Sequence, residues 1–310
     1  MIYPIVSVSP VWFYIERRAS MQFDILGEHD VDQGWMKETR DQVKSKGKIL
    51  PRFQCRGWTS EDLQTFISSK AESFALASMI HQQVQKHKFD GVVIECGFPA
   101  FFPLLLSRLS QLLHHHGQQL IVVLPAIMTE EHKKYMQPDF LHAMAQYVDR
   151  FSLMSYDFSS HNPNGGPSAP IEWIMDNTEF ITSLLGTENK HKLLVGLNMY
   201  AMSYLQTRAP EALVLRTVVE HLSERQGHRS NDEDVHHHHH LLTDDEDLNW
   251  DKESQEAWFI DMDEGGSRRG TVWLPTLRSI KNRVRFAEDY GVGLALWEVG
   301  QGLDYFYNLF

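Results

Sequence analysis

The chain has 310 residues, 42% of them hydrophobic and 23% charged, enough for one large core or two modest ones. Lysine and arginine number 29 against 41 aspartates and glutamates, a formal charge of −12, and no basic run gathers the cations, so nucleic acid is excluded as a partner. No stretch is long and apolar enough to cross a membrane as a helix, and two cysteines, Cys55 and Cys96, exclude both a disulfide framework and a four-cysteine metal site.

The opening MIYPIVSVSPVWFYIERR lacks a charged n-region and a small-residue cleavage site, so no signal peptide is expected in it. Short β-branched apolar runs then alternate with longer amphipathic ones. Strands are expected at Ile2–Phe13, Lys48–Phe53, Phe89–Cys96, Gln119–Ala126, Val148–Tyr156, Leu193–Tyr200 and Val292–Val299. Helices are expected at Val31–Lys46, Leu63–His87, Ala100–His116, Ile171–Leu185 and Leu277–Tyr290. Strands separated by helices pair in parallel through crossovers, and consecutive apolar residues such as Leu120–Leu124 mark strands buried on both faces. An open doubly wound sheet and a closed (β/α) barrel both fit this order. No strand is followed by GxGxxG or GxxxxGK[ST], which removes the nucleotide-binding reason to prefer the open sheet.

Gln226–Asp251, with five histidines at His236–His240 between acidic runs, reads as a low-complexity loop insertion in a single domain over residues 1–310. After it, Glu256–Asp261 and Thr271–Leu274 flank the Gly-rich DEGGSRRG, a small hairpin inserted before the last helix.

The chemistry-bearing segment is Phe89-Asp90-Gly91-Val92-Val93-Ile94-Glu95-Cys96-Gly97. It resembles the fourth-strand signature of glycoside hydrolase family 18, the chitinase family, in which FDG is followed by D-x-D-x-E. Phe151–Asp157 resembles that family's sixth-strand MxYD motif, and Trp297, ending the last strand, is similar to its aromatic barrel floor. Val8–Arg18, His29–Trp35, Pro51–Arg52 and Leu296–Phe310 extend the resemblance to one branch of the family and over nearly the whole chain outside Gln226–Asp251. The resemblance implies an α/β fold, a (β/α)8 TIM barrel of chitinase type. With only seven strands expected, its first βα unit would precede Ile2, so the chain is expected to lack that unit.

Alternate side chains of a strand face one side, so Val93, Glu95 and Gly97 are expected to point together into the barrel mouth. The family pattern puts two aspartates and a glutamate there, the glutamate protonating the leaving oxygen and its neighbour orienting the substrate's N-acetyl group. Gly97 takes the place of the acid, Val93 that of the outer aspartate and Glu95 that of the inner one. Glu95 sits roughly 6–7 Å below the acid position, too far for one extra methylene to bridge. It is expected either as a buried carboxylate bonded to neighbours such as Tyr156 or in contact with sugar.

By resemblance Tyr156 and Asp157 hold an N-acetyl sugar and Trp297 stacks on its apolar face; the residues alone equally allow a core-satisfied polar pair at Tyr156 and Asp157 and plain core packing of Trp297. Trp12, Trp58 and Tyr200, at or past the C-terminal ends of strands, are open between cleft and core. Glu298 is expected to face away from Trp297 by alternation. His81, His87 and His114–His116 read as helix-surface residues, and no Ser-His-Asp set, GxSxG or zinc spacing occurs in the ordered regions. Cys55 and Cys96 end neighbouring strands in this barrel, near enough to pair, but the reading favours two free buried thiols.

The expected function is therefore that of a chitinase-like lectin without a catalytic residue, binding chitooligosaccharide or related amino-sugar glycans and needing no cofactor or metal. One alternative is a weak glycosidase with relocated carboxylates at Glu95, Asp157 and Glu298; another is a protein-interaction scaffold with a vestigial cleft. The resemblance further implies a secreted or lysosomal location and a stabilin-type scavenger receptor as protein partner.

Overall fold

The computed structural model describes residues 7–43, 47–230 and 248–310. They fall into two compact units. One runs to Met154 and takes in Glu179–Leu194; the other comprises Ser155–Thr178 and the described residues from Val195 to Phe310.

The first unit carries β1 (Ser7–Val8), β2 (Phe13–Ala19), β3 (Gln22–Leu26), β4 (Lys48–Ile49), β5 (Arg52–Cys55), β6 (Gly91–Glu95), β7 (Gln119–Pro125) and β8 (Arg150–Met154). Strands β2, β5, β6, β7 and β8 lie side by side in that order, all parallel. Helices α1 (Gln33–Gln42), α2 (Ser60–Ile67), α3 (Lys70–His87), α4 (Pro103–His115), α5 (Glu130–Met136) and α6 (Pro138–Met144) supply the crossovers. One face of the sheet buries Leu50, Val93, Ile121 and Val123 against Met154. On the other, Phe13 and Phe53 stack with ring centroids 4.4 Å apart. Both faces are apolar, as a parallel sheet requires.

Two expectations fail at the start of the chain. Of the strand Ile2–Phe13, residues 2–6 lie outside the described ones, and the rest is broken. Ser7–Val8 pairs with Lys48–Ile49, then the chain turns at Pro10, whose carbonyl accepts from the amides of Trp12 at 3.1 Å and Arg52 at 2.9 Å. A new strand, β2, starts at Phe13 and forms an antiparallel hairpin with β3. The charged run Glu16-Arg17-Arg18 hid this hairpin. Those side chains are used locally: Arg17 bonds Asp62 at 2.6 Å and Glu72 at 3.0 Å. The expected helix Leu63–His87 is two helices, because Ser69 caps the second by accepting from the Glu72 amide at 3.2 Å.

The second unit carries β9 (Leu193–Asn198), most of which lies here, and β15 (Gly293–Trp297), which neighbours it. An antiparallel sheet of β10 (Ala201–Leu205), β11 (Glu211–Leu213), β12 (Asn249–Asp251), β13 (Glu256–Met262) and β14 (Arg268–Leu274) has the spatial order β11-β10-β14-β13-β12. The expected hairpin is β13–β14, but it is the middle of this five-stranded sheet and not a small excursion. Helices α7 (Ile171–Leu185), α8 (Leu215–Ser230) and α9 (Leu277–Tyr290) complete the element order, and the first and last fall where periodicity places them. The low-complexity reading of Gln226–Asp251 is corrected at both ends, where α8 runs to Ser230 and β12 begins at Asn249. His236–His240 lie outside the described residues.

A buried ionic knot ties this unit together. Glu256 accepts from the amides of Ser168 at 2.8 Å and Ala169 at 3.0 Å, and Arg283 lies 3.6 Å away. Burial pushes the Glu256 carboxyl up, with Arg283 and the two amides pulling the other way. Together they anchor the end of the segment that follows Tyr156 and Asp157 onto β13 and α9.

Candidate functional site

The FDG half of the motif is structural. Phe89 packs on Trp12 and Phe13, with ring centroids 6.1 Å and 5.9 Å away. The Asp90 carboxylate accepts from the Ile49 amide at 2.8 Å and from Arg40 at 3.0 Å, joining the starts of β4 and β6 to α1. Gly91 has no alternative: a Cβ there would lie 2.0 Å from the carbonyl oxygen of Gln119 on β7.

The second half is where the chemistry would sit. Val93 is core. Glu95 is bonded to Arg52 at 2.9 Å, both side chains largely buried. Arg52 pairs with Val93 in the β5–β6 register, which puts it on the face of Val93 and Glu95. Glu95 is thus the buried, bonded carboxylate that was expected, and its partner within this unit is a strand neighbour that the sequence reading passed over. A basic residue inside the apolar run KILPRF was the available signal.

Strand β6 ends at Glu95, and Gly97 has φ +70, so the alternation that would aim residue 97 with Val93 and Glu95 does not extend to it. Cys96 is disulfide-bonded to Cys55, closing 41 residues of separation, so the expectation of two free thiols is wrong. The geometric argument for pairing, neighbouring strand ends, was the one to follow.

Tyr156, Asp157, Tyr200, Trp297 and Glu298 gather in the second unit. The rings of Tyr156 and Trp297 are parallel within 3°, with centroids 6.3 Å apart. Trp297 also packs against the buried group Tyr200, Met202 and Tyr204. The Tyr200 hydroxyl donates to Asp157 Oδ1 at 2.7 Å. Burial pushes the Asp157 carboxyl up while this hydrogen bond pulls it down. Burial, and then the Asp157 charge, pushes the Tyr200 hydroxyl far up, so it stays a donor.

Asp157 and Glu298 both have left-handed backbones, φ +61 and +60, the first three residues past the end of β8 and the second directly after β15. Each therefore departs from strand alternation. The exposed Glu298 accepts from Gln301 at 3.2 Å and contributes to the electrostatic field at the Tyr200 hydroxyl. Its left-handed backbone ends the alternation on which the expectation for its direction rested. Non-glycine residues in this conformation concentrate at functional sites.

Two tryptophans belong elsewhere. Trp12 precedes β2, at the opposite end of that strand from the one expected, and packs edge-on to Trp35 at 5.6 Å. The break at Pro10 causes the reversal. Trp58 does follow β5, but its ring is enclosed by Phe23, Phe66 and Phe102 and its indole N–H donates to the Ile15 carbonyl at 3.0 Å. The histidines read as non-catalytic have structural partners: His81 meets Gln118 at 3.2 Å and His114 meets Asp149 at 2.8 Å. Among the described residues no three His, Cys, Asp or Glu side chains form a metal-holding group.

A model of glycosyl hydrolases family 18 matches residues 20–302. Among solved structures, the chain is similar to a putative sporulation-specific glycosylase from Bacillus subtilis, with TM-score 0.73 and 18% identity over 94% of this chain and 92% of that one. It is similar to a chitinase from Chromobacterium violaceum, with TM-score 0.69 and 19% identity over 98% and 89%. A class V chitinase from Pseudomonas fluorescens Pf-5 gives TM-score 0.72 and 15% identity over 98% and 90%. These likenesses establish the α/β, TIM-barrel-like chitinase fold.

Proposed function

The chain belongs to glycosyl hydrolases family 18, and from that premise we propose that it binds chitooligosaccharide or related amino-sugar glycans without hydrolysing them. The observation that carries this reading is Gly97. The residue at the acid position has no side chain and a left-handed backbone, and the nearest carboxylate on the strand, Glu95, is committed to Arg52. General acid catalysis supplies about 10²–10⁴-fold in rate, and this arrangement forgoes it. Binding rests on other groups. The parallel rings of Tyr156 and Trp297 offer stacking faces, and Asp157 with Tyr200 offers a polar pair beside them.

The test sets turnover of a chromogenic chitobioside beside calorimetric titration with N-acetylchitotetraose. Saturable binding with no turnover above a denatured control is the expected result. Tyr156→Phe keeps the ring and removes one hydroxyl, and should weaken binding of the N-acetylated oligomer by about 0.5–1.5 kcal/mol while leaving a deacetylated oligomer much less affected. No binding by the folded chain would favour the interaction-scaffold reading.

One observation favours a second reading, a weak glycosidase with relocated carboxylates. The Asp157 carboxyl is shifted up by burial and held by Tyr200, which is what a proton donor needs. Turnover lost in Asp157→Asn but kept in Glu95→Gln would establish it.

Within the family the segments Val8–Arg18 and Leu296–Phe310 resemble chitinase domain-containing protein 1, also called stabilin-interacting chitinase-like protein. On that resemblance we assign the chain a secreted or lysosomal location and a stabilin-type scavenger receptor as partner. Co-localisation with a lysosomal marker and direct binding to a stabilin ectodomain test the two assignments.

A further inference from the structure

A second cavity lies wholly within the second unit, at the far end of β10. It has a volume of about 230 Å³, and its polar lining is Ser160, His161, Asn162, Tyr204, Gln206 and Arg208. Two features point to a ligand. Among the described residues no carboxylate lines it, although the chain as a whole carries a charge of −12. Arg208 and His161 are exposed and have no side-chain partner among the described residues, so the arginine's five N–H donors are unspent. Tyr204, 3% exposed, closes the inner side of the cavity, with its hydroxyl buried out of reach of solvent.

The two carboxyl groups whose charge reaches Tyr204 are already engaged. Asp157 accepts from Tyr200, and Glu256 accepts from Ser168 and Ala169 beside Arg283. Neither lines the cavity. Tyr204 packs in the same group as Tyr200, against which Trp297 rests, so a single residue adjoins both the aromatic site and the cavity.

We infer that this cavity is an anion subsite, and that the glycan recognised is an N-acetylated oligosaccharide bearing an acidic substituent. Arg208 forks onto the acidic group, with His161 and Gln206 as further donors, while Asn162, whose amide donates to the Gly165 carbonyl at 2.9 Å and accepts from the Asn164 amide at 3.0 Å, shapes the wall. This inference rests on the carbohydrate-binding reading for its oligosaccharide part and on the cavity alone for its anionic part. A carboxylate and a sulfate ester share the chemistry, and the experiment separates them.

The full chain is titrated with N-acetylchitotetraose, with a hyaluronan tetrasaccharide, and with free glucuronate and N-acetylglucosamine 6-sulfate, each followed by calorimetry and by the imidazole NMR signal that disappears in His161→Gln. The hyaluronan tetrasaccharide should bind about tenfold more tightly than the neutral oligomer at low salt, an advantage lost in Arg208→Gln and shrinking as salt rises. N-acetylchitotetraose affinity should be the same in wild type and Arg208→Gln. A His161 shift with glucuronate alone assigns the site to carboxylates, and one with the 6-sulfate alone assigns it to sulfate esters. Equal affinity for neutral and acidic oligomers overturns the anion subsite and leaves the sugar-binding reading intact. A His161 response to the free acids without any binding of the neutral oligomer supports the subsite and overturns the sugar-binding reading. No response to any of the four overturns both.

Discussion

Replacing Gly97 with glutamate restores the residue type that the family's fourth-strand motif carries, yet it should not restore hydrolysis. β6 ends at Glu95, and residue 97 has φ +70, so a side chain there leaves the line of Val93 and Glu95. Between them Cys96 is bonded to Cys55, which holds the turn in place. A Cβ at 97 meets no atom within 4 Å, so the variant folds. Its cost is conformational, about 1–2 kcal/mol for an L-residue in left-handed backbone. For a chain of this size that lowers the melting temperature by roughly 1.5–3 °C. A cooperative melt in that window, with chitobioside turnover still at background, is the expected outcome. A variant as stable as wild type with turnover raised about 10²-fold or more would refute the reasoning, since the backbone would then be free to present the acid.

Reduction of Cys55–Cys96, or the paired serine variant, should destabilise the chain by about 4 kcal/mol on the loop-entropy model for 41 residues; an unchanged urea midpoint with and without reductant would count against the bond. Glu95→Gln removes the charge that faces the largely buried Arg52 guanidinium and should cost up to about 3–5 kcal/mol in chemical denaturation, with Arg52→Met/Glu95→Gln recovering part of it; equal losses in both variants would rule out the pair as the cause. Asp157 binds its proton more tightly folded than unfolded, so its contribution to stability falls as pH rises from the unfolded carboxylate range through its raised folded value. Asp157→Asn, which tolerates the left-handed backbone, should therefore gain stability over wild type above that range and match it below about pH 4, and parallel stability–pH curves for the two proteins would contradict this.

What was legible in the sequence follows from what its patterns encode. Runs such as Leu120–Leu124 and the amphipathic stretch Leu277–Tyr290 report burial directly, and β7 and α9 fall there. The β2–β3 hairpin was not legible, because Glu16, Arg17 and Arg18 are charged residues whose partners, Arg56, Asp62, Glu72 and Asp24, are distant in sequence or beyond the turn. The five-stranded sheet was half legible. β13 and β14 are seven residues each and flank a Gly-rich turn, whereas β11 and β12 are three residues each, too short to carry a period. Of the candidate site, residue types were readable but directions were not. Alternation holds only while the backbone stays extended, and it cannot be carried to Gly97, Asp157 or Glu298, which have positive φ within three residues of the ends of their strands.

That pattern separates two demands within one motif. Phe89, Asp90 and Gly91 join the starts of β4 and β6 to the layers around them, and each has a contact that a substitution would break: the aromatic packing on Phe13, the bond to the Ile49 amide, the approach to the Gln119 carbonyl. Nothing in the fold makes a comparable demand on an acid at 97, where a Cβ meets open space. The strand therefore forms and packs whether or not the chemistry is present, and the resemblance in its first half reports the fold alone. Function has to be argued from other residues. In the second unit Tyr200 holds Asp157 and Tyr156 lies parallel to Trp297, and these are the groups on which the proposed sugar binding rests.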